Sequence, residues 1–505
     1  MIALWIILAY LVVLLALGFA SNLVSSKTQV DYFLASRGVG PFMLLMSLFG
    51  TTMTAFAMVG SSGEASQAGI GVYGLMASSS GIVHSLCFFL VGVKLWSFGK
   101  RYGYLTQIEF FRDRFDSGGI GLVLFPVLVM MLFPYLLTGV LGLGSCISGV
   151  TGGAFPSLFP DTHGAVPAWL SEGIIVGVVL VYIFVGGVRS TLWVNTFQNA
   201  LFMGVGIVAL IVIGNRLGGL DHATEMARQN HPDLLRRTMS QADWFSYMLI
   251  PLSVAVFPHL FQYYLTAKNA RAFRLSVVCH PIFVLITWLP CVLLGVWFVT
   301  AVVDGKPVIP PGTDPNKVLA IGIKSLTGPV LSGLMGAGIL ATNSLDAQFL
   351  VLGNMFTNDI VAHYMGAQRF SERQLLRMGR AFVVVIVVLT YIVSLAEPRS
   401  VFRLGTWCFS GFAGLFPLTI AALYWRRATR WGAFASILAG GVTWYWLFHD
   451  SDYGRIQDYH IAGWMPVAPI VLVATLAIVF VSLITRPPAE ATLRRFFPDA
   501  VRGTS

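Results

Sequence analysis

The side chains most able to do chemistry in this sequence are gathered between Leu334 and Ile360, LMGAGILATNSLDAQFLVLGNMFTNDI. Asn343 and Ser344 bring oxygens to one short arc, and Gly336, Ala337 and Gly338 before them allow another helix to come close. Within an apolar span such polar side chains are costly, so they face a partner helix or a water-filled cavity. Neutral oxygens gathered this way suit a dehydrated hard cation such as sodium. The competing reading is a plain helix–helix hydrogen bond. Asp346 follows directly, and we expect it to pair with a basic loop residue such as Arg189 or Arg271.

A second group sits in MSLFGTTMTAFAMVGSSGEASQAG, where Gly50 precedes Thr51, Thr52 and Thr54, and Glu64 follows Ser61, Ser62 and Gly63. A third is YMLIPLSVAVFPHLFQYYL, with Pro251, Ser253, Phe257, Pro258 and His259. Gly and Pro at these places interrupt a helix and free backbone groups, which membrane depth tolerates only where they line a cavity or are buried in protein. Together with His84, the residues Thr51, Thr52, Glu64, Ser253, Phe257 and His259 are the candidate lining of a substrate pocket. His84 also reads as a packed, hydrogen-bonded core histidine, and the threonines as caps of half-helices. The chain contains no HExxH, no nucleophile elbow, no phosphate-binding glycine loop and no CxxC, so an enzyme is not expected.

The elements that must position these groups are membrane spans. The chain has 505 residues, 56% hydrophobic and only 11% charged, with mean hydropathy +0.77. That balance belongs to a polytopic membrane protein. Five cysteines lie in apolar segments without paired spacing, as small buried hydrophobes do. The first apolar run is too long for a signal peptide and has no positive flank, so it reads as an uncleaved first span.

Apolar runs of about 20 residues fall near 3–22, 41–66, 70–96, 119–150, 168–187, 194–216, 243–265, 274–302, 326–353, 376–395, 400–424, 431–449 and 463–484, thirteen in all. With the N-terminus outside, 22 of the 32 Lys and Arg lie on the inner side, leaving 10 outside. The positive-inside rule selects that orientation, with a cytoplasmic C-terminus. The net charge of +10 is then topology, and nucleic acid is not an expected partner. Residues 1–485 form one transmembrane domain and 486–505 a short cytoplasmic tail, too short to fold alone. The two interrupted spans lie five apart, the spacing of an inverted repeat of spans 2–6 and 7–11 around a central site.

Several segments, in order, resemble the sodium:solute symporter family, whose members carry proline, pantothenate, sugars and sialic acid. They are LATNSLDAQFLVLGN, then SGFAGLFPLTIAALYWRRATRWGAFASILAG, GGVRSTLWVNTFQ, the run Asp31-Tyr32-Phe33-Leu34 with Arg37 and Gly40-Pro41, YLTQIEFFRDRF, and Pro258-His259. The resemblance covers nearly the whole chain. It implies an all-α, leucine-transporter-type fold with five-plus-five inverted repeats and broken spans 2 and 7. It also implies sodium as the coupling ion, with no cofactor. The implied sodium ligands are the carbonyls of Gly50, Met53 and Leu340 and the side chains of Asn343 and Ser344. Further implications are alternating-access symport of a small organic solute, an organic anion among the options, in a bacterial-type inner membrane, with no obligatory protein partner.

Two departures stand out. Asn343 replaces a hydroxyl residue common in the family, and Asn195 stands where members with a second sodium site place an Asp. One sodium per solute is therefore expected, with proton-coupled or ion-independent transport as the alternative. Thr52 occupies a place that is acidic in proline carriers, and vitamin and anion carriers show a glutamate near Glu64. A sensor would need an attached signalling module, and a channel a continuous polar pore.

Overall fold

The computed structural model describes residues 2–23, 29–236, 239–341, 344–396 and 399–497. Apart from one two-residue hairpin pairing Val303 with Lys306, its regular structure is helical. This follows from a bilayer's demand that each spanning segment satisfy its own backbone hydrogen bonds.

Helix α1 (Ile2–Leu23) packs along α7 (Ala168–Arg216) and α12 (Pro329–Leu340). Helix α2 (Pro41–Thr52) starts on a proline, which suits a first helical turn because its missing N–H has no partner there anyway. It is followed by a π turn, Phe56–Gly60, and by α3 (Ser61–Ala68). Helices α4 (Gly71–Tyr102) and α10 (Phe273–Thr300) pack on each other, and α10 also covers α2 and α3.

Between α4 and α6 (Gly119–Thr151) lies the short α5 (Gln107–Phe115), opened by a capping box of Thr106 and Glu109. Helix α7 is two helices joined at Gly187, whose φ of 58° and ψ of −154° only glycine adopts cheaply, with Tyr32 pressed against its Cα. The interrupted element α8 (Gln241–Tyr247), a 3₁₀ turn Ile250–Ala255, and α9 (Pro258–Thr266) come next. Helix α11 (Pro315–Leu326) precedes α12, and α13 (Leu345–Met355) follows it. The remainder is α14 (Glu372–Ser394), α15 (Val401–Gly414), α16 (Phe416–Tyr424), α17 (Arg430–Asp450), α18 (Val467–Ile484) and α19 (Glu490–Phe496).

Among the described residues eight helices are long and apolar enough to cross a membrane. Two further pairs, Pro41–Thr52 with Phe56–Ala68 and Gln241–Ala255 with Pro258–Thr266, each bend by 50° and bring the total to 10 if each is one span. Three of the thirteen expected spans are not in that set. One ends as the shorter apolar helix Ala168–Val181, one is divided between α12 and α13, and the third is α17, with its Arg430, His449 and Asp450 ends.

Two placements are decided by packing against other helices. Trp444, whose indole would also suit a membrane interface, is 1% exposed and donates its indole N–H to the Trp407 carbonyl at 2.8 Å. The described part of the tail is packed against the rest of the protein. Helix α19 docks on α5, with Phe496 buried among Phe98, Tyr102 and Phe110, and Arg495 pairs with Asp113 while lying over the Tyr102 ring.

Candidate transport site

At the first break Met53 leaves the helix with φ −100° and ψ 74°. The Thr51 and Thr52 hydroxyls donate back to the Ser47 and Phe49 carbonyls, at 2.7 and 2.8 Å, so both serve their own helix. Gly50 is needed for contact. Asn199 of α7 reaches across it to donate to the Met46 carbonyl at 2.6 Å, and a Cβ on Gly50 would lie 2.1 Å from its Nδ2.

The segment holding the candidate cation ligands is also interrupted. Helix α12 ends at Leu340 and α13 begins after Ser344, whose φ of −118° and ψ of 14° are not helical. Thr342 and Asn343 lie outside the described residues. The Ser344 hydroxyl accepts from Gln348 Nε2 at 2.9 Å. Helices α2, α12 and α13 all pack on α7, and the small residues of α12 allow it: a Cβ on Gly338 would stand 3.0 Å from Val205.

Asn195, on the same helix, donates to the Tyr263 hydroxyl at 3.2 Å, and Gln198 to the Tyr10 hydroxyl at 2.9 Å. Asp346 has no basic partner among the described residues. It is fully buried, its carboxyl oxygens make no well-formed hydrogen bond, and the Thr191 hydroxyl is within its reach. Arg189 pairs instead with Asp31 at 2.5 Å, which corrects the expected pairing.

The two bends meet at a central cavity of about 30 Å³, room for a water molecule and too small for a solute. Thr52, Met53, His84, Ser253 and Phe257 line it, so four of the candidate pocket residues come together there. Its wall is largely aromatic: Phe56, Tyr135, Tyr247, Trp288 and Phe409. His84 is held by His280, ring nitrogen to ring nitrogen at 2.9 Å.

Thr51, Glu64 and His259 are elsewhere. His259 is buried against Tyr135 and Phe257 with neither ring nitrogen hydrogen-bonded. Glu64 lines a separate cavity of about 220 Å³, together with Arg403, Trp407, Asp458 and His460. This vestibule shares α4, α8 and α15 with the central cavity and adds the segment from Ile456 to Pro466. Stacked and edge-on rings divide the two spaces, Phe56 lying 5.0 Å from Phe402 and 4.9 Å from Phe409.

The opposite mouth is shut by α5. Gln107 donates to the Val256 carbonyl at the second bend at 2.8 Å, and Arg112 pairs with Asp359 at 2.9 Å, with Thr106 donating to the same carboxylate. The fully buried Arg114 donates to the Ala422 and Trp425 carbonyls at 2.7 and 3.0 Å. Burial pushes the Glu109 carboxyl up, against the amides it caps.

Tyr135, Asn199, Tyr247 and Trp288 were absent from the expected site. Two of the three aromatic residues at least sit in mid-span, Tyr135 in α6 and Trp288 in α10, where an interface anchor has no reason to be.

The sodium:solute symporter family profile matches residues 32–440. The chain belongs to the sodium:solute symporter family. The osmoregulated proline transporter of Bacillus subtilis is 25% identical, with 92% of each chain covered. The sodium/proline symporter of Salmonella typhimurium is 24% identical, over 94% of this chain and 91% of the relative. The sodium/pantothenate symporter of Escherichia coli is 25% identical, over 93% and 94%. Among solved structures, a Na+-coupled sialic acid symporter in a substrate-bound outward-open state superposes with a TM-score of 0.74 at 15% identity, covering 97% of this chain and 99% of that one. A nucleobase-cation-symport-1 transporter superposes at 0.56 and 13% identity, over 92% and 97%. These likenesses show the fold of this symporter, a helical membrane transporter.

Proposed function

We propose that this symporter couples sodium to the uptake of a small organic solute by alternating access, across a bacterial-type plasma membrane. The observation that carries the reading is the central cavity, because the two bent helix pairs supply opposite parts of its wall. In our assignment sodium is held by the carbonyls of Gly50, Met53 and Leu340 with Asn343 and Ser344, and the solute is received beside Thr52, His84, Ser253 and Phe257 once the aromatic wall parts and widens this closed cavity. The N-terminus lies outside and the tail inside, so the α5 mouth is the cytoplasmic one and the vestibule opens outward.

Sodium bound at the first bend favours one arrangement only through a difference in its affinity for the two. A tenfold sodium gradient is worth about 1.4 kcal/mol. The membrane potential adds about 2.3 kcal/mol per 100 mV for each net charge moved. The aromatic wall suits an apolar solute body better than a sugar.

The test is thermal unfolding of the detergent-solubilised protein titrated with NaCl, against KCl and choline chloride at constant ionic strength. Sodium-specific stabilisation growing with concentration is expected, weakened about tenfold in affinity by Ser344→Ala and by Asn343→Leu. An equal response to all three salts would overturn sodium coupling. An unchanged sodium affinity in both variants would overturn only the ligand assignment.

A further inference from the structure

The polar groups left unsatisfied at the central cavity define what can bind there. Trp288 is 3% exposed, lines the cavity, and its indole N–H has no partner among the described residues. An indole nitrogen can donate but never accept, so the ligand atom that meets it must be an acceptor. Ser80, Tyr247 and Ser253 line the same space, and their hydroxyls donate no hydrogen bond among the described residues. Four donors converge on one small volume. A carbonyl oxygen offers two lone pairs and a carboxylate about four sites, so a carboxylate matches the count.

An ammonium would meet hydroxyl oxygens here but no negative charge. Neither Asp nor Glu lines the cavity. The carbonyls at the two bends are already occupied: Thr51 accepts from Tyr135 at 3.3 Å, Val254 from Tyr264 at 2.7 Å, and Val256 from Gln107 at 2.8 Å. His84, which also lines the wall, is tied to His280. Buried charge left without a partner is strongly disfavoured; an ammonium finds no counter-charge here, whereas a carboxylate finds the indole and hydroxyl donors and the sodium we assign to the neighbouring bend.

We propose that the solute is a monocarboxylate with an apolar body and no amine, its carboxylate held by Trp288 Nε1 together with the Ser80, Tyr247 and Ser253 hydroxyls. This rests on the symporter reading above and narrows its substrate. With one sodium per carboxylate the cycle moves no net charge, so accumulation follows the sodium gradient and not the membrane potential.

Three matched sets of probes test it, each an acid, its primary amide and its amino-acid counterpart: propionate, propionamide and alanine; 3-phenylpropionate, 3-phenylpropionamide and phenylalanine; cyclopentanecarboxylate, its amide and proline. Unfolding of the full-length protein in NaCl is measured with each. The expected result is stabilisation by the acid of at least one set, with the amide and the amino acid at least about tenfold weaker, and a comparable loss for that acid in Trp288→Phe. Tyr247→Phe provides the same test should Trp288→Phe unfold. The proposal is overturned if no acid binds, if an amide or amino acid binds as well as its acid, or if both variants bind unchanged. A sodium-specific shift without any acid shift removes this proposal and leaves sodium coupling standing. Loss of the sodium shift itself removes the reading beneath it.

Discussion

The Tyr135 hydroxyl donates to the Thr51 carbonyl at 3.3 Å while its ring lies 5.6 Å from that of Phe257. One side chain of α6 therefore touches both bends, one through a hydrogen bond and the other through ring contact. Tyr135→Phe keeps the ring and removes the bond, leaving a buried carbonyl unpaired at about 1 kcal/mol. We expect a lower unfolding midpoint and a sodium affinity weakened roughly fivefold, read from the NaCl dependence of that midpoint.

Gly50→Ala places a methyl where Asn199 now passes. Overpacking of this kind costs about 1–3 kcal/mol, and here it also displaces the Asn199 donor from the Met46 carbonyl. Because both effects run through one contact, Gly50→Ala combined with Asn199→Ala should be milder than the sum of the single changes. A coupling of about 1 kcal/mol or more in a denaturation cycle is expected. Strict additivity would contradict the contact.

Asp359 is fully buried and Arg112 is its cationic partner. Arg112→Gln strands that carboxylate and should cost roughly 3–5 kcal/mol. Adding Asp359→Asn removes the stranded charge, so the double variant should recover most of the loss. The same single variant should loosen α5 and admit a water-soluble thiol reagent to a cysteine placed at Val256, where the wild-type contact excludes it.

His460 presents Nε2 to Asp243 at 2.5 Å and Nδ1 to the Asp458 carbonyl at 2.6 Å. Burial alone would lower its pKa, but the Asp458 carbonyl and the Asp243 carboxylate outweigh that and raise it above the usual value. A group with a raised folded-state pKa stabilises fully below its unfolded pKa of about 6.5 and loses that contribution as pH rises through the folded value. Stability should therefore fall as the medium turns from mildly acidic to basic, and His460→Gln should flatten this part of the pH profile. An unchanged profile in the variant would exclude the imidazolium as its source.

Much of this architecture was readable from local chemistry. Gly50 and Pro258 mark bends that the chain makes next to them, since glycine and proline change the backbone wherever they stand. The interruption between Leu340 and Ser344 carries no such residue. Leu, Ala and Ser there are compatible with continuous helix, so only tertiary packing reveals it. Trp444 and Trp288 could not be placed from sequence for a related reason. Tryptophan suits both an interface and a core, and which one it occupies depends on whether another helix offers a carbonyl, as that of Trp407 does for Trp444. Asp346 shows the same limit from the other side, because the basic residue nearest in expectation, Arg189, was already committed to Asp31.

The grip of α19 on α5 makes the carboxyl-terminal end a mechanical handle on the mouth that α5 closes. Phe496 and Arg495 join this helix to the face carrying Phe98, Tyr102, Phe110 and Asp113. Any cargo fused beyond it, such as a purification tag or a fluorescent protein, pulls on the same contacts. Placement of such a label is thus a perturbation in its own right.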